Sequence, residues 1–251
     1  MRQHFKISRA SEYFEDSELT KRTGMSRVNW TEALLKELMD NALDITDCIP
    51  NGEIEICVTN SQLSVWDNGP GMSCGLIKKI LDFETRTSDK FAYQGPTRGQ
   101  QGNAFKTFLG IAYNMGGHVE IVSRNLKHEI RCDTNPAGLI DVDHVVTDFP
   151  CVGTKITITC MPEIPWNTEL EQWVFRYHLI NPFVQIRYFS GEDLATLQDQ
   201  KPVVLYKSGS LDKIKSTDPT SPHWYSTEKF LKLAYLSEKK GVPLGSFIGS
   251  F

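Results

Sequence analysis

Glu37, Asp40, Asn41 and Asp44 stand at i, i+3, i+4 and i+7 of the stretch "KELMDNALD", whose apolar residues recur at helical spacing. That spacing sets all four on one helix face. With Glu37 at zero on a helical wheel, Asn41, Asp44 and Asp40 fall within about 60° of it at ~100° per residue. Leu34, Leu35, Leu38, Met39 and Ala42 fill the opposite arc. Carboxylate and amide oxygens are the ligands Mg2+ prefers. A carboxylate beside a metal–phosphate group can also orient or deprotonate a water. The plain alternative is a solvated face. Only Lys36 supplies an adjacent positive charge, so i,i+4 pairing leaves the stripe unexplained.

Two glycine-bearing segments lie downstream. In "DNGPGM", Asp67 ends a strand-like run, with Gly69 and Gly71 just beyond it. Glycine permits tight turns and the close approach of a flat ligand, and an aspartate beneath such a turn can accept from an exocyclic amine. By itself the segment reads first as an ordinary turn, since D-x-G-x-G arises often by chance. In "RGQQGNAFK", Gly99 and Gly102 precede a helix, and Lys106 sits in its first turn. Backbone N–H groups at such a place form an anion site. The spacing is neither that of a P-loop nor that of a Rossmann turn. "GTK", residues 153–155, opens a later strand and is a weaker signal.

The elements that must position these residues alternate along the chain. Asn29 is expected to cap the acid-striped helix, with Glu32 three residues on in a capping-box pattern. That helix runs to about residue 47. "EIEICVTN" and "QLSVWDN" alternate apolar and polar residues and read as paired strands. "CGLIKKILDF" is a short helix, and residues 85–103 form a long polar loop of the kind that is usually functional. The helix "AFKTFLGIAYNM" follows, then strands "HVEIVSR", "HEIRC" and "GTKITITC", the helix "ELEQWVFRYHLI", and strands "FVQIRYF" and "PVVLY". The order predicts an α+β fold, a two-layer sandwich with an antiparallel or mixed sheet and helices on one face. From about residue 207 the texture becomes linker-like, and "STEKFLKLAYLSEKKG" begins another helix.

Bulk composition excludes several classes. Hydrophobic residues are 40% and charged residues 23% of the 251-residue chain, as in soluble globular proteins. The net charge of -4 gives no support to binding nucleic acid by bulk charge alone. The six cysteines show no C-x-x-C spacing, and no histidines stand at finger spacing, which argues against zinc. No signal peptide or apolar run of spanning length is present. A reducing, cytoplasmic setting without membrane partners is expected.

Taken together, the order of motifs carries a resemblance. An E-x-x-x-N helix, a D-x-G-x-G turn, a loop ending in G-x-x-G, a helix and a strand opening with Gly-Thr resemble the GHKL ATPase superfamily, named for gyrase, the heat-shock chaperone, histidine kinases and the mismatch-repair protein MutL. The implied fold is the Bergerat-type sandwich. More narrowly, "ISRASEYF", "KELMDNALD", "RGQQG", "YHLINPFVQI" and "SPHWYSTEKFLKLA" resemble the B subunit of topoisomerase VI. That likeness implies an N-terminal arm over 1–27 that swaps across a dimer, an ATPase domain over 28–206, and over 207–251 a linker and the start of a helix-two-turn-helix-like insert.

The resemblance implies ATP and Mg2+ as cofactors. Glu37 would be the general base and Asn41 the Mg2+ ligand. Asp67 would accept from the adenine amine, with Thr154 helping through water. Gly69, Gly71 and Met72 would close the adenine pocket. Gly99, Gln100, Gln101, Gly102 and Asn103 would offer N–H groups to the phosphates, and Lys106 would reach a phosphate, as in microrchidia-type relatives. Asp40 and Asp44 would orient water or be surface charge. Two departures stand out. Ala104 replaces a glycine common in the family's phosphate loop, and the chain ends before the transducer domain that carries a lysine for the γ-phosphate, so turnover is expected to be slow in isolation.

The implied function is an Mg-dependent ATPase that forms a homodimer on ATP and drives a type IIB topoisomerase-like machine. It would work with a DNA-cleaving partner similar to the topoisomerase VI A subunit, and would be nucleoid-associated in a prokaryote. The alternative is a microrchidia-like or defence-associated clamp that holds or compacts DNA without strand passage. A kinase or chaperone module fits less well, because no phosphoacceptor-histidine helix precedes the motifs. A degenerate, non-enzymatic nucleotide site fits less well still, because Glu37 and Asn41 are both present.

Overall fold

The computed structural model describes residues 11–46, 49–83, 104–134, 140–160, 169–192, 200–207, 209 and 225–248. Eight strands form one sheet: β1 (Glu53–Val58), β2 (Gln62–Asp67), β3 (His118–Ser123), β4 (Leu126–Thr134), β5 (Ile140–Asp148), β6 (Thr154–Thr159), β7 (Gln185–Ser190) and β8 (Val204–Tyr206). Their spatial order is β5-β4-β3-β6-β2-β1-β7-β8. Among the described strands only β1 and β7 run parallel, so the sheet is mixed, as expected.

Register explains the core. Val58, Leu63, Ile158, Val119 and Ile130 align as one rung across β1-β2-β6-β3-β4. Ile56, Val65, Ile156 and Ile121 form the next. All are buried. Rung neighbours share a face, so the alternation in each strand builds one continuous apolar surface. Helix α2 (Trp30–Thr46) lays Leu34, Leu35, Leu38, Met39, Ala42 and Leu43 into the same core. Full burial of each such large side chain is worth roughly 1.5–3 kcal/mol. Helices α3 (Cys74–Ile80), α4 (Ala104–Asn114) and α5 (Leu170–Ile180) contribute Ile77, Phe108 and Val174 to that cluster.

Three local expectations change. Asn29, expected as a cap, lies in a 3-10 turn, Arg27–Asn29, that runs straight into α2. Glu32 is buried and accepts from the Trp173 indole of α5 at 3.0 Å. Strand β5 was not expected. Its acids Asp141, Asp143 and Asp148 blunt the strand signal, yet charge is normal on an edge strand. Beyond the sheet, Ser226 accepts from the N–H of Lys229 and caps helix α6 (Thr227–Lys239), and a short helix α7 (Leu244–Ile248) follows. No helix among the described residues is long and apolar enough to cross a membrane.

The described part of the N-terminal segment folds back on its own chain. Helix α1 (Asp16–Thr23) ends on Gly24 in the left-handed region, with φ 69°. Tyr13 and Phe14, just before it, are buried. Phe14 meets Tyr113 of α4 edge-on at 5.2 Å between ring centroids and Phe83 at 5.2 Å. The Asn114 amide donates to the Phe14 carbonyl at 2.9 Å. Gly110 makes this contact possible, because a Cβ there would overlap the Tyr13 carbonyl oxygen.

Helix propensity alone predicts that Gly110→Ala stabilises the chain by roughly 1 kcal/mol. The Tyr13 contact predicts the opposite: lower stability in urea unfolding and faster amide exchange over residues 11–23. A net gain in stability would show that this contact is not held in solution.

Candidate functional site

The site begins where the apolar rungs end. The next rung across β2, β6 and β3 is Asp67–Thr154–Ser123. Asp67 and Thr154 are 6% and 4% exposed, and Ser123 is fully buried. A carboxylate here loses most of its hydration. Burial pushes the Asp67 pKa up to about 6, against a downward pull from the Gly69 N–H. That N–H donates to Asp67 Oδ1 at 2.8 Å. Ser123 Oγ accepts from the Met72 N–H at 2.8 Å. It lies 3.2 Å from Thr154 Oγ1 and 3.3 Å from the Gly153 carbonyl.

Glycine at position 69 is a requirement of close approach, since a Cβ would overlap the Ile45 side chain of α2. Ile45 continues the series Glu37, Asn41, Ile45 at four-residue steps. The striped helix and the Asp67 turn therefore meet at this contact.

The stripe lies along the half-buried side of α2, where Glu37, Asp40, Asn41 and Asp44 are all intermediate in exposure. Lys36 takes more of it than its position suggested. Its Nζ stands 3.0 Å from Glu37 Oε1 and 3.1 Å from Asp40 Oδ2. Burial lowers the Lys36 pKa, but the charges of Asp40 and Glu37 outweigh it, and the net shift is upward. The Tyr177 hydroxyl of α5 donates to Asp40 Oδ1 at 2.8 Å and lies 3.2 Å from the Lys36 carbonyl. Asp40 is thus held from two sides as a buttress of the helix. Pairing accounts for Asp40 and engages Glu37.

Lys106 is buried, at 2% exposure, in the first turn of α4. Its ammonium lies 5.8 Å from the Phe83 ring centroid and 5.9 Å from that of Tyr13. Burial lowers its pKa, with Asp82 acting in the other direction. Met72 packs against the core and engages the rung through its backbone. Gly99, Gln100, Gln101, Gly102 and Asn103, expected as the phosphate loop, lie outside the described residues. Among the described residues, no group of three or more His, Cys, Asp or Glu side chains could hold a metal ion.

Sequence reasoning missed Ser123 and Tyr177. "IVSRN" marks a strand end, but only the β3–β6 register brings its serine beside Thr154. Tyr177 stands at helical spacing from Trp173 on α5, and both reach back to α2.

The mixed sheet and the helices packed on it, ending in a buried carboxylate beside an oxygen-lined helix, are consistent with the GHKL ATPase fold. The sequence profile of the family described as "Histidine kinase-, DNA gyrase B-, and HSP90-like ATPase" matches residues 28–163, more than half of the chain, and the chain belongs to that family. Solved structures similar to it include the ATPase domain of the mismatch repair endonuclease MutL from Aquifex aeolicus, at 16% identity and TM-score 0.37, covering 64% of this chain and 57% of that one. The 43K ATPase domain of Thermus thermophilus gyrase B in complex with an aminocoumarin is 18% identical with TM-score 0.43, covering 74% and 48%. The topoisomerase IV ATP-binding domain of Francisella tularensis is 17% identical with TM-score 0.41, covering 70% and 85%. The chain thus spans about half the length of the first two. No curated protein matches it.

The Asp67 environment sets a pH dependence. Its folded pKa of about 6 lies above the ordinary 3.8, so from pH 4 to 6 the folded chain binds more protons than the unfolded one. Stability contributed by the protonated form is lost as pH rises through that window. Asp67→Asn removes the loss. The variant should exceed the native chain by about 3 kcal/mol at pH 7.5 and converge with it near pH 4. Urea unfolding at both pH values checks this, and a gap that does not change with pH would refute the burial argument.

Proposed function

We propose that this module binds and hydrolyses ATP, forms a homodimer on ATP, and drives a type IIB topoisomerase-like DNA-processing complex. The observation that supports it best is the meeting of the Asp67–Thr154 rung with the end of the Glu37–Asn41 helix at the Gly69–Ile45 contact.

The residues fit the chemistry. Asp67 is a buried acceptor whose neighbours leave its charge poorly compensated, and an exocyclic amine such as that of adenine supplies a donor. Thr154 stands beside it on the same rung. Glu37, anchored by Lys36, would align and deprotonate water for attack on a γ-phosphate. Asn41 would hold Mg2+, which neutralises phosphate charge when bound. Gly99 to Asn103 would cradle the phosphates with N–H groups. Lys106 would need to leave its place over Tyr13 and Phe83 to reach them.

The choice of a topoisomerase VI-like assembly rests on the sequence. "RGQQG", the "YHLINPFVQI" helix–strand passage and the "SPHWYSTEKFLKLA" segment all resemble the B subunit. On this reading residues 1–27, whose Tyr13 and Phe14 pack on α4 of the same chain here, leave that packing to exchange across the dimer, 28–206 are the ATPase domain, and 207–251 begin the helical insert. A DNA-cleaving A-like subunit and DNA would be partners, in the cytoplasm or at the nucleoid. A transducer-type lysine supplied from outside this segment would complete the phosphate site. "GNAFK", with Lys106 on the first turn of α4, favours the second reading, a microrchidia-like clamp. Supercoil relaxation with a matched A subunit separates the two.

Glu37→Ala should lower ATP turnover at least about 100-fold while leaving ATP affinity within about threefold by calorimetry. Turnover that persists would remove Glu37 as the base.

Asp67→Asn should weaken ATP binding about 10- to 100-fold, the range for a hydrogen bond to a charged acceptor. Native affinity should itself fall as pH drops below about 6, where Asp67 takes up its proton. Undiminished affinity in the variant would move the base to another place.

A further inference from the structure

We propose that Ser123 sets the base specificity of this site by fixing the direction in which the Thr154 hydroxyl points its proton. The inference rests on the adenine reading above and concerns a residue that reading leaves unassigned.

Ser123 is fully buried at the end of β3. A hydroxyl has one proton to give and two lone pairs. One lone pair is committed, since the Met72 N–H donates to Ser123 Oγ at 2.8 Å. The remaining neighbours are Thr154 Oγ1 at 3.2 Å and the Gly153 carbonyl at 3.3 Å. Both can accept the single proton. Gly71 closes off the other side. Its φ is 79°, and a Cβ there would stand 2.8 Å from Ser123 Oγ and 2.9 Å from Arg124 Cγ. The serine is therefore enclosed by the turn that follows Asp67, and its orientation is set by that turn.

This enclosure has a consequence for Thr154. When Ser123 donates to Thr154 Oγ1, one of the threonine oxygen's two lone pairs is taken and its proton cannot go to Ser123, so that proton is left to point toward a ligand. Asp67, on the same rung, is an acceptor when ionised. The pair then presents acceptor beside donor. An adenine edge offers the complement, an amine donor beside a ring-nitrogen acceptor, met directly or through one water. A hypoxanthine or guanine edge presents a carbonyl acceptor beside an N–H donor. It would face a carboxylate and a hydroxyl whose proton points at it and one of whose two lone pairs is already engaged. Ser123 is thus a positioning residue. It acts through Thr154 and through the Met72 N–H of the turn.

The test measures affinities for ATP and for inosine triphosphate, which differ at the base edge and share the triphosphate. Native protein should prefer ATP. Ser123→Ala frees Thr154 to rotate and accept, so the ATP preference should shrink roughly tenfold, with ATP weakened and inosine triphosphate unchanged or improved. A structural loss would instead lower both affinities together, and thermal melts of each variant read folding separately. Ser123→Cys keeps a weak donor and should fall between the two. If Ser123→Ala does not fold, the cysteine variant carries the test, and a native preference ratio in it overturns the assignment. So does an unchanged ratio in a folded Ser123→Ala. A native chain that binds ATP without preferring it over inosine triphosphate overturns the role of Ser123 while sparing nucleotide binding. One that binds neither overturns the adenine reading, and this assignment with it.

Discussion

A carboxylate placed at the end of an apolar sheet face is the constraint on which this structure turns. Asp67 shares its face with Val65 and Leu63, two positions that are deeply buried. A charge at that depth destabilises the fold unless it is hydrogen-bonded. The Gly69 N–H answers it, and this requires the chain to reverse at once after β2. The reversal in turn commits Met72 to Ser123, and Ser123 to the neighbourhood of Thr154. One buried acid therefore explains the tight turn, the serine at the end of β3 and the threonine that opens β6. The acid is left with spare acceptor capacity, which suits a group that waits for a donor.

Helix α2 has to satisfy two surfaces at once. Its leucines bind it to the sheet, and its opposite side carries carboxylate and amide oxygens. Lys36 tempers the repulsion among the acids, and α5 reaches across with Tyr177 and Trp173 to hold Asp40 and Glu32. These polar contacts position the helix rather than anchor it. Lys36 and its partners are partly exposed, and such pairs are worth little in stability. The burial of Leu34, Leu35, Leu38 and Leu43 is several-fold larger. The apolar side therefore fixes the helix, and the polar side is free to be arranged for chemistry.

Much of this was legible in the residues and some was not. The amphipathic split of α2 was readable because helical period is a local property. So was the turn after Asp67, because glycine marks it. Register was not readable. Asp67, Thr154 and Ser123 come from three strands far apart in sequence, and a one-residue slip on any of them would turn its side chain to the other face. Ser123 therefore looked like any strand-end serine. Strand β5 was missed because its acids mask an edge strand. The double pairing of Lys36 was undercounted, since it joins an i,i+1 contact that periodicity does not anticipate to an i,i+4 one.

The two halves of the site meet through packing rather than through charge. Ile45 rests against the Gly69 backbone so closely that no side chain fits at 69. A displacement of α2 along its axis would press on the same turn whose N–H holds Asp67. Conversely, a ligand that drew on the Asp67 carboxylate would change the load on that N–H, and hence on the backbone beneath Ile45. Packed interiors transmit such shifts because they have few voids to absorb them. The oxygen-lined helix and the turn that holds the buried acid thus share this close packing contact, one part of the wider packing of α2 on the sheet. Glycine at 69 answers this close approach rather than a need for flexibility.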